Sequence, residues 1–598
     1  MRDDLLFPAT SAEVSRKTMM GAAAPGKILS LLWWFAGAAL CLIIGVKLLG
    51  TLQPLSQILA APFRVFFYPL ELEWREGSFW LDALALHEKA PIYDHSVFAY
   101  VSMAHGPMDS LLKSWIAGLF PFLAPWQVTR AFVVLLPVTL VTCSAMILRR
   151  HMRFPWMWGT LVGLTFYVAF LAANGGHFYL YGRTDDTAIV LSLVAFTLLH
   201  FAAQSPNPLP RNGCSFAAGL LLGASYLTIW RNFPVMGAMV LVAIVAISLE
   251  TGRWQSALMA MLFCIAGTLS VFLVILFGVM GGSISLFYEH FYKLFLVSYD
   301  TSASNRGLLG IPKDVWDDLQ PAWESVVHDR DNFLRRFGII VMCPVFLVSA
   351  AWFPIRERFS HLRSVTYLAV FIGLYVLALS SLIVGYLVHW RAGSLAYLAP
   401  IYLMSWYMVC LSLIARPFAA EALRGGMSAF LTCGIILLTA LNQVRGTSAG
   451  NEGARAMELT NSARAFDFQL SQLKAKYTVI SDAFHFFKRH IDSNDVVDQG
   501  DFSWRFAKEG YFGEAFTQTV NRYTAAIQSK PPDIVIVGQI SAPPIRALVE
   551  HGYSCILCGV RFHADSPYGF SLYARDDLPI DELRAQFSVF KTPSAPGK

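Results

Sequence analysis

Charge is what this 598-residue sequence has least of. Lys, Arg, Asp and Glu together make up 14% of it, against about 25% in an ordinary soluble chain, and the mean hydropathy is +0.51. That shortage excludes a soluble multidomain enzyme and a disordered chain, both of which need a charged, solvated surface. Like-charge runs are missing as well: the net charge is only +6, and no Lys/Arg block offers a nucleic-acid surface. Cysteine is sparse, nine in all and scattered, which excludes a disulfide scaffold. Cys41, Cys143, Cys264, Cys343, Cys410 and Cys433 lie inside apolar runs and read as small buried hydrophobes. Cys555 and Cys558 are the single close pair. They sit in a strand-like run, Tyr553 to Val560, which suits neither a thioredoxin-type helix start nor a four-ligand zinc site, so they read as two strand residues. No internal repeat is visible, which weighs against a transporter built from repeated halves.

What the sequence has in quantity is apolar residues, 56% of the chain. They fall in long runs near 28–50, 127–148, 154–173, 185–203, 214–230, 233–250, 255–280, 337–354, 365–387, 394–415 and 426–443. Each is long enough to span a bilayer or nearly so, and the expected fold is a polytopic α-helical membrane protein. A further run, 106–124, is interrupted by Pro107, Lys113, Pro121 and Pro125. The positive-inside rule decides its role. If it crossed, the basic cluster Arg149-Arg150-His151-Met152-Arg153 would face outward. If it is re-entrant or interfacial, that cluster, Arg356-Glu357-Arg358, and Arg416 with Arg424 all fall inside. This gives about eleven spans, with the N-terminus in and the C-terminus out. Residues 1–27, polar and carrying Arg2, Arg16, Lys17 and Lys27, are expected in the cytoplasm without a cleavable signal peptide.

Composition shifts near the end of the last run. In residues 445–598, 34 of 154 are charged, against 52 of 444 before them. Tyr477 to Ser481 and Asp533 to Val537 read as buried strands, and Phe502–Glu509 and Phe516–Gln528 read as helices. Two more strands follow Gly552, ending at Leu572-Tyr-Ala-Arg575. The organisation expected is therefore a cytoplasmic segment at 1–27, a membrane domain at 28–443 with a first outer loop at 51–105, and a small outer-facing α/β domain at 444–598.

With that topology the polar features gather on the outer side. The first loop carries Glu71-Leu-Glu73-Trp-Arg-Glu76-Gly77 and, further on, Tyr93-Asp94. On a helix starting near Glu71, Glu73 and Glu76 share a face. Paired carboxylates beside an apolar surface are what deprotonation of an acceptor hydroxyl needs; a solvated acidic turn next to the membrane has the same spacing. Gly182-Arg183-Thr-Asp185-Asp186 opens a later span, Trp230-Arg231-Asn232 breaks two apolar runs, and His389-Trp-Arg391 is another short turn. Ionisable residues at membrane depth are costly and are functional candidates, and guanidinium groups facing one side suit a phosphate. Each arginine taken singly also fits snorkelling to the interface. The outer loop 281–336 contributes Tyr288, His290, Tyr292, Lys293 and Asp300, whose location alone suggests a part in acceptor choice.

In order and type, these segments resemble the GT-C superfamily of polytopic glycosyltransferases. The likeness is to the bacterial branch holding lipopolysaccharide-core galacturonosyltransferases, aminoarabinose transferases and protein mannosyltransferases. The residues carrying it are Glu73-Trp-Arg-Glu76-Gly77 followed by Lys89-Ala-Pro-Ile-Tyr93, with Lys89 where a glycine is usual, and His105-Gly106-Pro107-Met108. Next come Arg183-Thr-Asp185, Arg231-Asn232 in place of a Lys-Gln-like pair, and Gly393-Ser394-Leu-Ala-Tyr397-Leu-Ala-Pro400. The tail is similar too, in Val479-Ile-Ser-Asp482 and Pro532-Asp533-Ile-Val-Ile-Val.

The resemblance implies a GT-C-like fold in a bacterial inner membrane and a sugar transfer on its outer face. The donor would be a polyprenyl-phosphate sugar, and the acceptor a hydroxyl of a glycan, such as lipopolysaccharide, or of a lipid or protein. Glu73 or Glu76 would be the general base, with inversion at the anomeric carbon. Arg183, Asp185, Arg231, His389 and Arg391 would bind substrate and neutralise the leaving phosphate. Asp94, Tyr93 and His105 are secondary candidates. Some relatives use a divalent metal; no ligand set is visible here, and no metal or other cofactor is expected. The rival from another class is a transporter or a flippase of lipid-linked sugars; loss of the acidic pair would have pointed to an inactive assembly partner.

Overall fold

The computed structural model describes residues 23–67, 76–90, 106–149, 154–172, 182–229, 251–288, 472–481, 514–538, 543–560 and 570–588, with isolated residues within 237–248, 430–441 and 466–470 and at 508. Among the described residues the first part holds α1 (Ala23–Leu49), α2 (Leu52–Phe66), α3 (Glu76–His87), α4 (Pro107–Leu119), α5 (Pro125–Thr129), α6 (Ala131–Leu148), α7 (Pro155–Ala172), α8 (Thr184–Gln204), α9 (Pro208–Thr228) and α10 (Trp254–Gly278), followed by one short helical turn at Ile284–Tyr288. Among the described residues, three stretches are long and apolar enough to cross a membrane: Pro125–Leu148, Thr184–Gln204 and Trp254–Gly278. The expected runs at 337–354, 365–387 and 394–415 lie outside the described residues.

The run at 106–124 forms α4, of 13 residues. At about 1.5 Å per residue it falls short of the roughly 30 Å hydrocarbon layer, as a re-entrant or interfacial element would. Its start is well specified. Gly106 precedes it in extended conformation, Pro107 fills the first turn, and Asp109 follows where the helix dipole favours a carboxylate. The Gly106 amide donates to the Thr228 carbonyl at 3.1 Å, tying this start to the end of α9.

Helix pairs approach closely where glycines face a neighbour. A Cβ on Gly159 or Gly163 of α7 would fall within 2.6–2.9 Å of backbone atoms of α6, and one on Gly219 of α9 would meet the Cys264 carbonyl of α10 at 2.0 Å. Side-chain hydroxyls add cross-links: Ser225 of α9 donates to the Ala188 carbonyl of α8 at 2.9 Å and pairs with Ser192 at 2.8 Å. Small residues and short hydroxyls are how helices associate when the surroundings are as apolar as the side chains. The outward faces agree, since Phe35, Leu42 and Val46 on α1 and Leu269, Leu273, Val274 and Phe277 on α10 are exposed.

The last part is a four-stranded sheet of order β1-β2-β4-β3: β1 (Val479–Ser481), β2 (Ile534–Gly538), β3 (Tyr553–Val560) and β4 (Phe570–Arg575). β1 and β2 run parallel, with Val479 opposite Ile534, and the remaining pairs are antiparallel. Helices α11 (Glu514–Ser529) and α12 (Pro543–Glu550) flank β2 in the chain, and α13 (Ile580–Phe587) closes it. Strand periodicity sorts β2 between two cores. Ile534 and Ile536 pack with Phe466, Leu470, Leu572 and Phe587 on one side, while Val535 packs with Ile527 of α11 and Ile545 of α12 on the other. The expected helix at 502–509 lies outside the described residues apart from Lys508.

One expectation needs correcting here. Cys555 and Cys558 do lie on a strand, but they are joined by a disulfide. In a regular strand, residues three apart are about 10 Å apart, too far for a bridge. The β3–β4 register shifts between Cys555 and Leu557 and again between Leu557 and Val560, and Gly559 takes a positive φ of 57°. This irregularity brings the two Cα atoms to 5.8 Å.

Candidate active site

A group of buried ionisable side chains lies where α2, α3, α4, α5 and the start of α8 meet. Glu76, in the first turn of α3, is fully buried. Its carboxylate accepts a two-pronged contact from Arg130, through Nε to Oε1 and through Nη2 to Oε2 at 2.8 Å. Arg130, between α5 and α6, is equally buried, and its Nη1 donates to the Val65 carbonyl at the end of α2 at 2.8 Å. A paired guanidinium and carboxylate with matched forks is the form in which two charges can be buried together.

A second buried pair is on α4. Lys113 Nζ donates to Asp109 Oδ2 at 2.7 Å, one helical turn away, and to the Gly182 carbonyl at 2.9 Å. It also lies 5.0 Å from the ring centre of Phe79 on α3, within cation–π range. The other Asp109 oxygen, Oδ1, accepts from the Thr187 hydroxyl on α8.

The turn into α8 completes the group. Gly182 has a φ of 62°, and a Cβ there would meet the Thr129 carbonyl at 2.9 Å and Arg130 Cγ at 3.0 Å, so only glycine fits that turn without strain. Arg183 precedes the helix in extended conformation, 1% exposed, and its Nε donates to Asp185 Oδ2 at 3.2 Å. Asp185 and Asp186 occupy the first turn, where the helix dipole favours negative charge. Asp186 is fully buried, and neither of its oxygens has a hydrogen-bond partner among the described residues. It interacts electrostatically with Asp185, Lys113, Arg183 and Asp109.

Of the residues expected from sequence, the structure therefore brings Glu76, Arg183 and Asp185 into one neighbourhood. Glu73, Tyr93, Asp94, His105, Arg231, His389 and Arg391 lie outside the described residues. The described part of α3 begins at Glu76, so a face shared by Glu73 and Glu76 is outside them as well. Sequence reasoning missed Asp109, Lys113, Arg130 and Thr187, and it named Asp186 without assigning it a part. The available signal was an Asp and a Lys at helical i,i+4 spacing inside a run otherwise apolar. Among the described residues, no group of three or more His, Cys, Asp or Glu is placed to hold a metal ion.

The site holds Lys113, Arg130 and Arg183 in fixed orientations against carboxylates, away from water.

The end of α3 explains one departure noted above. Lys89 has a φ of 57°, the single positive value for a non-glycine among the described residues. The Ala90 amide donates to the Ala85 carbonyl and the Lys89 amide to Leu86, the double bond of a Schellman cap, whose left-handed position favours glycine.

No protein-family model matches the chain, and no curated protein matches it. Among the solved structures similar to it are the following three. ArnT from Cupriavidus metallidurans in the apo state is 14% identical with a TM-score of 0.45, covering 90% of this chain and 98% of that one. ArnT from the same organism bound to undecaprenyl phosphate is 13% identical with a TM-score of 0.49, over 88% and 98%. The Archaeoglobus fulgidus oligosaccharyltransferase, tethered with an acceptor peptide containing the NVT sequon, is 12% identical with a TM-score of 0.31, over 65% and 55%. None of the three reaches a TM-score of 0.5.

Proposed function

We propose that this chain is a membrane glycosyltransferase that moves a sugar from a polyprenyl-phosphate donor to a hydroxyl acceptor on the outer face of the membrane. The observation that carries the reading is the junction of two motifs distant in sequence. Glu76 of the first loop and the Gly182-Arg183 turn are joined through Arg130 and Lys113 in one buried, charged group. Stability gives no reason to bury so many charges, because apolar side chains of similar size serve it as well or better.

In the reaction, a first-loop carboxylate, Glu73 or Glu76, takes the proton of the acceptor hydroxyl. The acceptor oxygen bonds to the anomeric carbon from the face opposite the donor phosphate. The bond from that carbon to the phosphate oxygen breaks, its electron pair leaves with polyprenyl phosphate, and the configuration inverts. Arg183, with Arg231, His389 and Arg391, stabilises the charge on the departing phosphate. Asp185 holds Arg183 in place through its Nε contact. The Cys555–Cys558 disulfide supports the outward placement of the C-terminal sheet, since such bonds persist in oxidising compartments. That sheet would bind the acceptor or close the site. The bacterial inner membrane is the setting the sequence motifs favour.

The test is mass spectrometry of polyprenyl-phosphate sugars in membranes of cells lacking the protein. These cells are complemented with wild type or with the double variant Glu73→Gln, Glu76→Gln. One lipid-linked sugar is expected to accumulate in the null and the double variant and to fall with wild type, which also identifies the donor. Identical profiles in all three would sink the transferase reading and turn attention to transport.

A further inference from the structure

Three hydrogen bonds that Arg130 makes to described residues bear on the roles of the first-loop carboxylates. Nε and Nη2 hold both oxygens of Glu76, and Nη1 holds the Val65 carbonyl. The Cγ of the same side chain is one of the surfaces on which Gly182 rests, and Lys113 secures Gly182 from its carbonyl side. One arginine thus joins the end of α2 to the start of α3 through its guanidinium and packs its aliphatic stem beside the turn that carries Arg183.

We infer that Glu76 and Arg130 are positioning residues, a clamp that seats the first-loop helix against the Gly182-Arg183 turn, and that Glu76 is not the general base. The inference rests on the transferase reading above and deepens it. A general base must present a carboxylate oxygen to the incoming hydroxyl and keep the proton it takes. Both Glu76 oxygens already accept from Arg130, and the residue is fully buried. Protonating it would leave a buried guanidinium without its counter-charge, the costliest way to break such a pair. A clamp, by contrast, needs these properties: two fixed hydrogen bonds, no exposure to water, and partners on separate elements. The clamp leaves the base to another carboxylate, of which Glu73, three residues earlier in sequence, is the first to test.

The experiment measures release of polyprenyl phosphate by the full-length protein in membrane vesicles across a pH series. The probe is the lipid-linked sugar fraction extracted from membranes of the null strain. A misplaced site loses about a hundredfold in rate, and loss of a general base costs about 10²–10⁴-fold, so rate alone does not separate the two. The pH profile and a charge swap do. For Glu76→Gln, a reduced rate is expected with the acidic limb of the profile retained; for Glu73→Gln, that limb disappears. Glu76→Arg alone should be inactive, while Glu76→Arg combined with Arg130→Glu should regain at least about tenfold over it, because a clamp tolerates exchange of its halves and a base does not. Loss of the acidic limb in Glu76→Gln would overturn the clamp. So would a correctly inserted swap variant no faster than Glu76→Arg alone. Failure of wild type to release polyprenyl phosphate would instead overturn the transferase reading itself.

Discussion

In the C-terminal sheet the deeply buried residues are apolar: Ile534, Val535, Ile536, Leu572 and Ala574 are fully enclosed, and Thr519 is the one buried polar residue among those described there. Its ion pairs lie near the surface, as between Arg575 and Asp533 or Asp577. In the helical part, Glu76, Asp109, Lys113, Arg130 and Asp186 are buried as completely as Leu572. The sheet shows how this chain stabilises a fold when stability is the main demand. The charged group departs from that pattern in one compact place, at the meeting point of five elements. A departure so confined, with its cations held in fixed pairs and its glycine turn packed against them, is the arrangement expected where chemistry rather than stability selects the residues.

The contrast can be broken from either side. Lys113→Met leaves Asp109 buried with, among the described residues, the Thr187 hydroxyl as its remaining partner, and removing one partner of such a pair costs about 3–5 kcal/mol. A large fall in thermal midpoint is expected in detergent, and Lys113→Met combined with Asp109→Leu should recover most of it. In the sheet, Leu572→Ala removes a fully buried side chain and should cost about 2–5 kcal/mol. Limited proteolysis should show residues after 466 becoming cleavable while the helical part resists; simultaneous loss of both parts would contradict the separation drawn here.

Two smaller effects sharpen the picture. Lys89→Gly relieves the left-handed backbone at the end of α3 and should stabilise by about 1 kcal/mol, read as a raised thermal midpoint with unchanged activity. On the sheet surface, the Arg575 guanidinium beside Asp577 holds that carboxyl below the usual carboxylate range. A carboxyl shifted down stabilises the fold above its unfolded value, near 3.9, and that contribution fades as pH falls through the lower folded value. The effect is small because the pair is exposed. Asp577→Asn should therefore flatten the sheet's acid unfolding curve slightly below about pH 4 and leave neutral pH unchanged.

Much of this was legible in the sequence, for identifiable reasons. The β-branched runs at Val479–Ser481 and Ile534–Val537 are strands because such residues suit a pleated, buried surface. Glu76, Arg183 and Asp185 stood out because they interrupt apolar stretches at their ends. Arg130 did not, because it lies only three residues into a run read as a span, and its partner Glu76 is 54 residues away. Nothing local reports such a contact. Lys113 was read as an interruption of an apolar run, when its spacing from Asp109 already placed both on one helix face. The Cys555–Cys558 bond depends on a strand irregularity that period-two reasoning does not foresee, and the strand order β1-β2-β4-β3 is likewise a tertiary outcome.

The central claim is that the buried charged group is the reaction centre and not a structural core. Arg183→Gln tests it most directly, because it removes the charge while keeping a polar side chain of similar reach. The measurement pairs the thermal midpoint of the purified variant with the level of lipid-linked sugar in null cells that express it. The account predicts a protein that still folds, with a midpoint lowered as expected for a broken buried pair (about 3–5 kcal/mol), and lipid-linked sugar accumulating as in the null. A folded Arg183→Gln protein that clears the lipid-linked sugar as well as wild type would contradict it.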